Sequence, residues 1–292
     1  MSTQLQDYKV IRNERSFLLA VKALGYEKDI PAGRFKLVKA QTNFDIIDQL
    51  VNGTHVNKRV TILEGWTISM VARELESKIG MDSQLFENAC KNKLLLWKWG
   101  IEADSFEGYL FPETYRFAED EAPQDVINRL MEEFQKNFTE DLKVRMNEVG
   151  MTETEVLTLA SIVEGEAIYN RERPVISGVY HNRLKKGMRL QADPTIQYII
   201  EDSPRRLFNK DLKIKSPYNT YLNYGLPPGP INNPGIESIK AALYPANTEY
   251  LYFVAKGDGY HTFSRTQDEH IKAKREFQKI RRKNRRQKAK KG

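Results

Sequence analysis

The sequence feature that most constrains the fold is an apolar helical stretch that carries two acids, "ASIVEGEA" at residues 160–167. A carboxylate that leaves water is strongly destabilising unless it is paired or kept neutral. Any fold of this chain must therefore provide a compensating environment for both Glu164 and Glu166. The question is which of the two acids is structural and which is functional.

Helical geometry separates the two carboxylates. Because each residue of a helix advances by about 100°, two acids two positions apart point about 160° away from each other. Glu166 continues an apolar arc that contains Leu159, Ile162 and Val163, whereas Glu164 lies on the other edge of that arc. The two acids therefore cannot share one proton as a dyad, and each serves a different neighbourhood.

Two interpretations stay open for each acid from periodicity alone. One is a structural ion pair with an arginine such as Arg171 or Arg173. The other is a general acid, since desolvation raises the pKa of a carboxyl group and keeps its proton available near neutral pH. Such an acid near aromatic side chains suits cleavage of a glycosidic bond. The segment 216–225, "SPYNTYLNYG", offers tyrosines beside amides, although this pattern more often serves packing.

The basic charge of the chain is confined to its end. Residues 281–292 hold eight of the 46 Lys and Arg residues and no acid, so the remainder carries 38 basic and 39 acidic side chains. A nearly neutral body argues against nucleic acid as the partner. Residues 279–292 are predicted to form a basic, disordered tail.

Other common chemistries lack their motifs. The lone Cys90 excludes an intrachain disulfide and a cysteine zinc site. The pattern HExxH of zinc hydrolases, the nucleophile motif GxSxG and the phosphate-binding GxxxxGK[ST] do not occur in the sequence. We therefore expect no metal and no cofactor. The histidines are scattered along the chain, at His55, His181, His261 and His270.

Local patterns predict an α+β fold in which helix dominates. A compact strand–helix–strand–helix unit spans about residues 32–80, and its second helix, "TISMVARELESKIG", ends at Gly80. Helices are predicted through "PQDVINRLMEEFQKNFTEDLKVRMNEVG", through the segment that carries Glu166 and from about Pro174. Two short strands surround the turn in "YLYFVAKGDGYHTFS", and a charged helix follows them. No run of about 18 apolar residues predicts a membrane-spanning helix, and the first residues lack the apolar core of a signal peptide.

Six stretches along the chain carry a combined signal. They are "LEGWTISMVARELE" (63–76), "EGYLFPETYRF" (107–117), "LASIVEGEA" (159–167), "ERPVISGVYHNRLKKGMRLQADPTIQY" (172–198), "SPYNTYLNYGLPPGPINNPGIESIKAALYPA" (216–246) and "YLYFVAKGDGYHTFSRTQDEH" (250–270). Together, and in the same order, they closely resemble the MltG (YceG-like) endolytic murein transglycosylases. The resemblance covers about residues 32–278 and implies a small LysM-like βαβα subdomain at about 32–80, within an N-terminal region 1–80. A larger, mainly helical YceG-like catalytic domain with short strands would occupy 81–278.

The resemblance implies cleavage of peptidoglycan strands between MurNAc and GlcNAc, within the strand, to leave 1,6-anhydroMurNAc ends. Glu166 matches the catalytic acid of the family, which is the second acid of its "IVExE" motif, and Glu164 takes a supporting role. Glu113 stands where the family commonly has Asp, which makes it a second possible supporting acid. Residues implied to line the sugar cleft are Gln191, Asp193, Tyr218, Asn219, Thr220, Tyr221 and His261.

The resemblance also implies partners and a location. The expected partners are peptidoglycan strands and peptidoglycan synthases, and the expected location is the cell envelope, at the outer face of the cytoplasmic membrane. Members of the family usually begin with a cytoplasmic stretch and a membrane-spanning helix, and the present 292 residues contain neither. Two alternatives remain: a hydrolytic muramidase, which would use water, and a non-catalytic protein that binds peptidoglycan.

Overall fold

A computed structural model describes residues 2–27, 29–30, 37, 42–51, 57–119, 121–201 and 203–288. Within those residues the chain forms 13 α-helices and four short strands. The helices are α1 (Ser2–Asp7), α2 (Glu14–Ala23), α3 (Asn43–Val51), α4 (Ile68–Ile79), α5 (Ser83–Ala89), α6 (Lys93–Lys98), α7 (Pro123–Asn137), α8 (Glu140–Val149), α9 (Glu153–Glu166), α10 (Arg173–Lys185), α11 (Asp193–Ile199), α12 (Ile236–Leu243) and α13 (Gln267–Lys288). The strands are β1 (Asn57–Thr61), β2 (Thr114–Ala118), β3 (Tyr252–Ala255) and β4 (His261–Ser264).

The apolar side chains form two separate clusters. The smaller cluster joins α1, α2 and α3 around Phe17, Ile47 and Leu50, which are almost fully buried. The larger cluster begins at Val60 on β1 and contains the apolar faces of the helices from α4 to α12. The helices of the larger cluster position the cleft described below.

The LysM-like subdomain is not confirmed. Its predicted first strand, 32–38, lies outside the described residues except for Leu37, whereas its two helices are present as α3 and α4. The second predicted strand, β1, pairs with β2, which lies beyond the predicted unit. Because α4 buries Val71 and Leu75 in the larger cluster, the second half of the predicted unit packs with the body of the protein.

Strand β2 forms at the end of the segment 106–117, whose sequence indicates turns, and it pairs with β1. The two strands are antiparallel, with Asn57 opposite Ala118 and Thr61 opposite Thr114. Tyr115 and Phe117 alternate with exposed residues, so that their rings stack on the buried face, with centroids 5.5 Å apart. Pairing with a distant strand therefore decides the structure of this segment.

Helix α9, which contains both acids, is the centre of the larger cluster. The Thr152 hydroxyl oxygen caps its first turn by accepting the N–H of Glu155, and the Glu155 carboxylate in turn accepts the backbone N–H of Thr152. All eight residues from Val156 to Val163 are buried, because α10, α11 and α12 pack around this helix. The predicted apolar helix is therefore confirmed as a core element that ends at Glu166.

A buried polar network joins three distant loops of the larger cluster. The amide oxygen of Asn233 accepts hydrogen bonds from the backbone N–H groups of Gly108 and Leu110, at 2.8 and 2.9 Å. Its amide nitrogen donates to the carbonyl of Trp66. Glu107 accepts from the N–H of Ile68 at the start of α4, and burial raises the pKa of Glu107 to about 8. This acid is consequently neutral at pH 7 and acts as a structural hydrogen-bonding group.

Part of the predicted disordered tail, 279–292, is helical. Helix α13 packs on β3 and β4 and continues to Lys288, whereas residues 289–292 lie outside the described part of the chain. Lys, Arg, Gln and Ala are all good helix formers, and the run contains no proline, so the helix propagates. In the described part of the chain, no helix has the length and apolar character needed to cross a membrane.

Candidate active site

A cleft of about 550 Å³ lies where the end of α9 meets α10, α11, the β3–β4 hairpin and α13. Acids and cations both face it, which is typical of a site that binds a polar ligand. The polar side chains that line it are Glu166, Tyr180, Arg183, Gln191, Asp193, Tyr221, His261, Gln267, His270 and Lys274, and the apolar ones include Leu190, Phe253 and Phe277.

Glu166 is the last residue of α9, and its carboxyl group is only partly exposed, at the surface of the cleft. Tyr180 of α10 donates a hydrogen bond to its Oε1 at 2.9 Å. Burial, and secondly the negative charge of Asp193, raise the pKa of Glu166 to about 7. The partial negative charge of a helix C-terminus also opposes ionisation. Near neutral pH this residue can therefore hold a proton and release it.

Asp193, the first residue of α11, is the second carboxylate of the cleft. Tyr221 donates a hydrogen bond to its Oδ1 at 2.5 Å. The backbone N–H of Asp193 also donates to the Glu166 carboxyl group, which favours the ionised form of Glu166 and partly offsets the effect of burial. The two acids are thus held as an unequal pair, of which Glu166 is the member in the less polar position.

Glu164 points away from the cleft, as helical geometry predicts. Its Oε1 lies 3.0 Å from the guanidinium of Arg173, and its Oε2 accepts the backbone N–H of Gly235 at 3.0 Å. The two side chains are only 7% and 5% exposed. Of the two interpretations left open for Glu164, the structure therefore shows the ion pair, and the arginine is Arg173. Since Gly235 is the N-cap of α12, this acid ties α9 and α10 to α12.

Gly165, between the two acids, permits a close approach of α11. A Cβ atom at this position would lie 2.6 Å from Cβ of Pro194 and 2.8 Å from its Cγ. Pro194 is rigid and directly follows Asp193. Three consecutive residues thus have three different roles. Glu164 forms a structural ion pair, Gly165 lets Pro194 pack directly against the helix backbone, and Glu166 faces the cleft.

We expect Gly165→Ala to displace α11 and with it Asp193. Although alanine normally stabilises a helix interior, overpacking here should cost about 1–3 kcal/mol. A shift of about 1 Å in the site should lower kcat/KM for glycan strands by roughly 100-fold. Gly80→Ala is the control. A Cβ atom at Gly80 would meet no other atom, but the φ of +73° is unfavourable for alanine, so this substitution strains the backbone without displacing a neighbour. That control should lose stability and keep its rate, whereas a Gly165→Ala enzyme with the wild-type rate would contradict the packing argument.

His261 lies on the opposite side of the cleft at the start of β4. Its Nδ1 is 2.9 Å from Oε2 of Glu172, and its backbone N–H donates to Oε1 of the same acid at 3.1 Å. Glu172 is itself buried, and the sequence analysis did not identify it. Since both oxygens of Glu172 hold His261, the imidazole ring is fixed and its Nε2 is left for a ligand.

The remaining residues of the predicted sugar cleft shape the loop that carries Tyr221. Asn219 is buried and donates to the carbonyls of Leu212 and Ile214. Thr220 is buried, and its hydroxyl oxygen accepts the N–H of Ala192 at 2.9 Å. The ring of Tyr218 packs on Tyr198, with centroids 5.0 Å apart. Tyr218, Asn219 and Thr220 lie outside the described lining of the cleft, whereas Gln191, Asp193, Tyr221 and His261 are part of it.

Two further predictions can be placed. Glu113 is exposed directly before β2, where it accepts the N–H of Thr114, and it does not line the cleft. Among the described residues, no group of three or more His, Cys, Asp or Glu side chains could hold a metal ion.

Sequence reasoning missed Tyr180 and Arg183, which line the cleft from α10. Arg183 donates to the carbonyls of Leu251 and Leu190, both at 2.6 Å, and so connects α10 to the cleft walls. The available signal was their spacing of three residues, which places them on one face of the predicted helix. That spacing alone does not reveal which face meets Glu166.

Comparisons with known proteins show what the chain as a whole is similar to. The sequence model of the YceG-like family matches residues 1–276. A Bacillus subtilis (strain 168) protein named endolytic murein transglycosylase is 36% identical over 292 residues, which cover 94% of this chain and 80% of that protein. A protein of the same name from Streptococcus pneumoniae serotype 2 (strain D39 / NCTC 7466) is 26% identical and covers 92% of this chain.

A solved structure has the same fold. The crystal structure of a yceG-like protein from Listeria monocytogenes matches with a TM-score of 0.68 at 33% identity, and the match covers 93% of each chain. The present chain spans 54% of the streptococcal relative, about half of that protein. The similarity therefore extends over almost the whole of this chain but not over the whole of every relative.

Proposed function

The chain belongs to the YceG-like family, and on this premise we propose that it is an endolytic lytic transglycosylase of peptidoglycan. It cleaves the MurNAc–GlcNAc bond within glycan strands, leaves 1,6-anhydroMurNAc ends and thereby terminates strands during cell-wall assembly. The single observation that carries the proposal is Glu166, a carboxyl group at the cleft whose pKa is raised to about 7. The relatives named endolytic murein transglycosylase support the substrate class.

One acid is sufficient for this reaction. Glu166 gives its proton to the departing oxygen on C4 of GlcNAc as the bond from that oxygen to C1 of MurNAc breaks. The C6 hydroxyl of the same MurNAc attacks C1 and returns its proton to the Glu166 carboxylate. An intramolecular hydroxyl replaces water and has a large advantage in effective concentration. The reaction therefore needs no carboxylate nucleophile of the kind that retaining glycosidases use.

The other groups of the cleft bind and orient the sugar. Gln191, Asp193, Tyr221 and His261 supply hydrogen bonds to the strand around Glu166. Tyr218, Asn219 and Thr220 contribute by holding the loop that presents Tyr221. The side chain of Asn219 accepts the N–H of Tyr221, and the carbonyl of Thr220 accepts the N–H of Gln191, so that both cleft residues are fixed by this loop.

The pH dependence of kcat/KM should report the proton on Glu166. Since the protonated acid starts the reaction, the rate should be highest below about pH 7 and fall above it. Asp193→Asn removes a negative charge that raises this pKa, so the falling limb should move to lower pH. Tyr180→Phe removes a hydrogen bond that lowers it, so the limb should move to higher pH. Shifts in the same direction, or none, would contradict the assignment.

The pattern of products over time tests endolytic action. Long, uncrosslinked glycan strands are incubated with the protein and separated by size at early times. Cleavage within strands should lower the average length while very few disaccharides appear. Release of disaccharides from the first time point would indicate attack from an end, and an unchanged length distribution would favour the alternative of a non-catalytic binding protein.

Location, partners and the N-terminal region follow from the family. A protein that acts on peptidoglycan works in the cell envelope, and we place this one at the outer face of the cytoplasmic membrane. Peptidoglycan synthases are the partners that would supply new strands to it. A LysM-like unit at about residues 32–80 would help to hold the glycan, and the helices α3 and α4 within that range support this assignment.

A further inference from the structure

One wall of the cleft is formed by the charged helix α13. Gln267, His270, Lys274 and Phe277 line the cleft, and their spacing of three, four and three residues places them on a single helix face. We call these four residues the α13 wall. Phe277 and His270 hold the wall in place: the ring of His270 stacks on Tyr252 with centroids 5.1 Å apart, and Phe277 lies over Gly257 in the β3–β4 turn.

Lys274 is an exposed cation at the cleft. Among the described residues, no carboxylate makes a salt bridge with it. Its neighbour His270 is 7% exposed, and the buried Nδ1 atom of this imidazole has no hydrogen-bond partner among those residues. Burial and the charges of Lys274 and Arg183 lower the pKa of His270 to about 4, so the imidazole is neutral at pH 7. This end of the cleft therefore has positive charge and unused polar atoms.

Charge is distributed unevenly along the cleft. Glu166 and Asp193 line the cleft from α9 and α11, whereas Lys274 lines it from α13 beside His270. The charge of the buried Arg183 guanidinium acts on both Glu166 and His270. A ligand carboxylate would be repelled beside Asp193 and attracted beside Lys274. The cleft can therefore distinguish the two ends of a ligand that carries one negative group.

The two sugars of a peptidoglycan strand differ in this respect. GlcNAc has no carboxyl group, whereas MurNAc bears a lactyl ether on C3, a short distance across the ring from the C1 atom that reacts. Its carboxyl group is either free or joined by an amide to a stem peptide, which carries carboxylates of its own. A cation placed beyond Glu166 would consequently select the orientation in which C1 of MurNAc, rather than C1 of GlcNAc, meets the acid.

We propose that Lys274, together with Gln267 and His270 of the α13 wall, forms a subsite that binds a carboxylate carried by the muramic residue. The subsite decides which of the two alternating glycosidic bonds is cut, and it rests on the transglycosylase function proposed above. Gln267 offers hydrogen bonds to the amide or ether groups beside that carboxylate, and the neutral ring of His270, stacked on Tyr252, forms the surface next to it. Lys274 binds and does not take part in the transfer of protons.

Steady-state cleavage by Lys274→Gln tests the subsite. The substrates are naked strands with free lactyl carboxylates, strands with stem peptides, and both kinds after carbodiimide coupling of their carboxylates to methylamine. Lys274→Gln should raise KM about fivefold on strands with free carboxylates and leave kcat nearly unchanged. Lys274→Glu should raise KM further. On the neutralised strands, the KM values of the two variants should approach that of the wild type. Lys272→Gln is the matched control, because Lys272 is exposed on the same helix and lies outside the cleft lining.

The substrates also identify the source of the carboxylate. A KM increase on naked strands assigns the lactyl group, and an increase confined to peptide-bearing strands assigns the stem. Equal KM values for wild type and Lys274→Gln on both, or an increase that persists on neutralised strands, would overturn the subsite. Wild-type protein that cleaves none of the strands would instead overturn the proposed function, so that the two failures are distinguishable.

Discussion

Glu166→Gln is expected to reduce the rate of strand cleavage by about 10³-fold, because no other group of the cleft replaces its proton. Glutamine has nearly the same shape and can still accept the hydrogen bond from Tyr180, but it cannot protonate the leaving oxygen or deprotonate the C6 hydroxyl. The variant should still bind glycan strands, which separates the enzyme from a non-catalytic binding protein. Cleavage is measured by the release of new strand ends at pH 6 and pH 8.

Stability provides a second measurement for the same variant. A pKa that rises on folding, to about 7, means that ionisation of Glu166 above this pH weakens the folded state. The protonated Glu166 therefore contributes to the stability of the fold. This contribution is fully present at pH values below the pKa of Glu166 in the unfolded chain, and it is lost as the pH rises toward and beyond 7. Glu166→Gln should therefore be as stable as wild type at pH 8 or more stable.

The control for the cleavage rate is Glu132→Gln, on the exposed face of α7, which should cut at the wild-type rate. A Glu166→Gln variant that cuts strands at close to the wild-type rate would refute the assignment of Glu166 as the catalytic acid.

Arg173→Met is expected to lower the free energy of unfolding by about 3–5 kcal/mol, because it leaves Glu164 charged and buried without its partner. The pair is only 5% and 7% exposed, so water cannot replace the guanidinium. Arg173 also donates to Ser238 of α12 and to Asn170 at 3.1 Å, and these two contacts are lost as well. Urea unfolding, followed by far-ultraviolet circular dichroism, measures the change.

Two controls show whether the orphaned charge is the cause. Arg173→Met combined with Glu164→Gln should recover part of the lost stability, since the unpaired carboxylate is then gone. Lys240→Met breaks an exposed ion pair with Glu237, in which the side chains are 51% and 46% exposed, and should cost no more than about 1 kcal/mol. A double variant less stable than Arg173→Met would contradict this explanation.

The sequence predicted the elements whose signals are local. Helix α4 has the predicted Gly80 at its end, in the left-handed conformation with a φ of +73° that ends helices, and α9 has its apolar face. Helical geometry also separated Glu164 from Glu166 correctly, since two positions on a helix fix their directions whatever surrounds them. Strand β2 was missed, because its structure depends on a partner more than 50 positions away in the chain.

The site was predictable only in part for a related reason. Gln191, Asp193, Tyr221 and His261 were named through their resemblance to a family, and the structure brings them to one cleft with Glu166. Glu172 was missed, since nothing in its local sequence shows that both of its oxygens hold His261, 89 residues further along the chain. Its role depends on how α10 and β4 pack, which periodicity does not encode.

The α13 wall shows a signal that the sequence does contain. Gln267, His270, Lys274 and Phe277 recur at helical spacing in a segment with many charges, where a solvated surface is the ordinary interpretation. Only the packing of α13 on the β3–β4 hairpin turns that face toward Glu166. The pattern predicts the face, and tertiary structure decides what the face meets.

The most direct test of the central claim is mass spectrometry of strand ends produced in water enriched in oxygen-18. Purified glycan strands are digested with the protein, and the products are reduced with borohydride at once to prevent exchange at C1. If the C6 hydroxyl attacks with Glu166 as acid and base, every new end is 1,6-anhydroMurNAc without the heavy isotope. Reducing MurNAc ends that carry oxygen-18 would show that water attacks C1, and the protein would then be a hydrolytic muramidase.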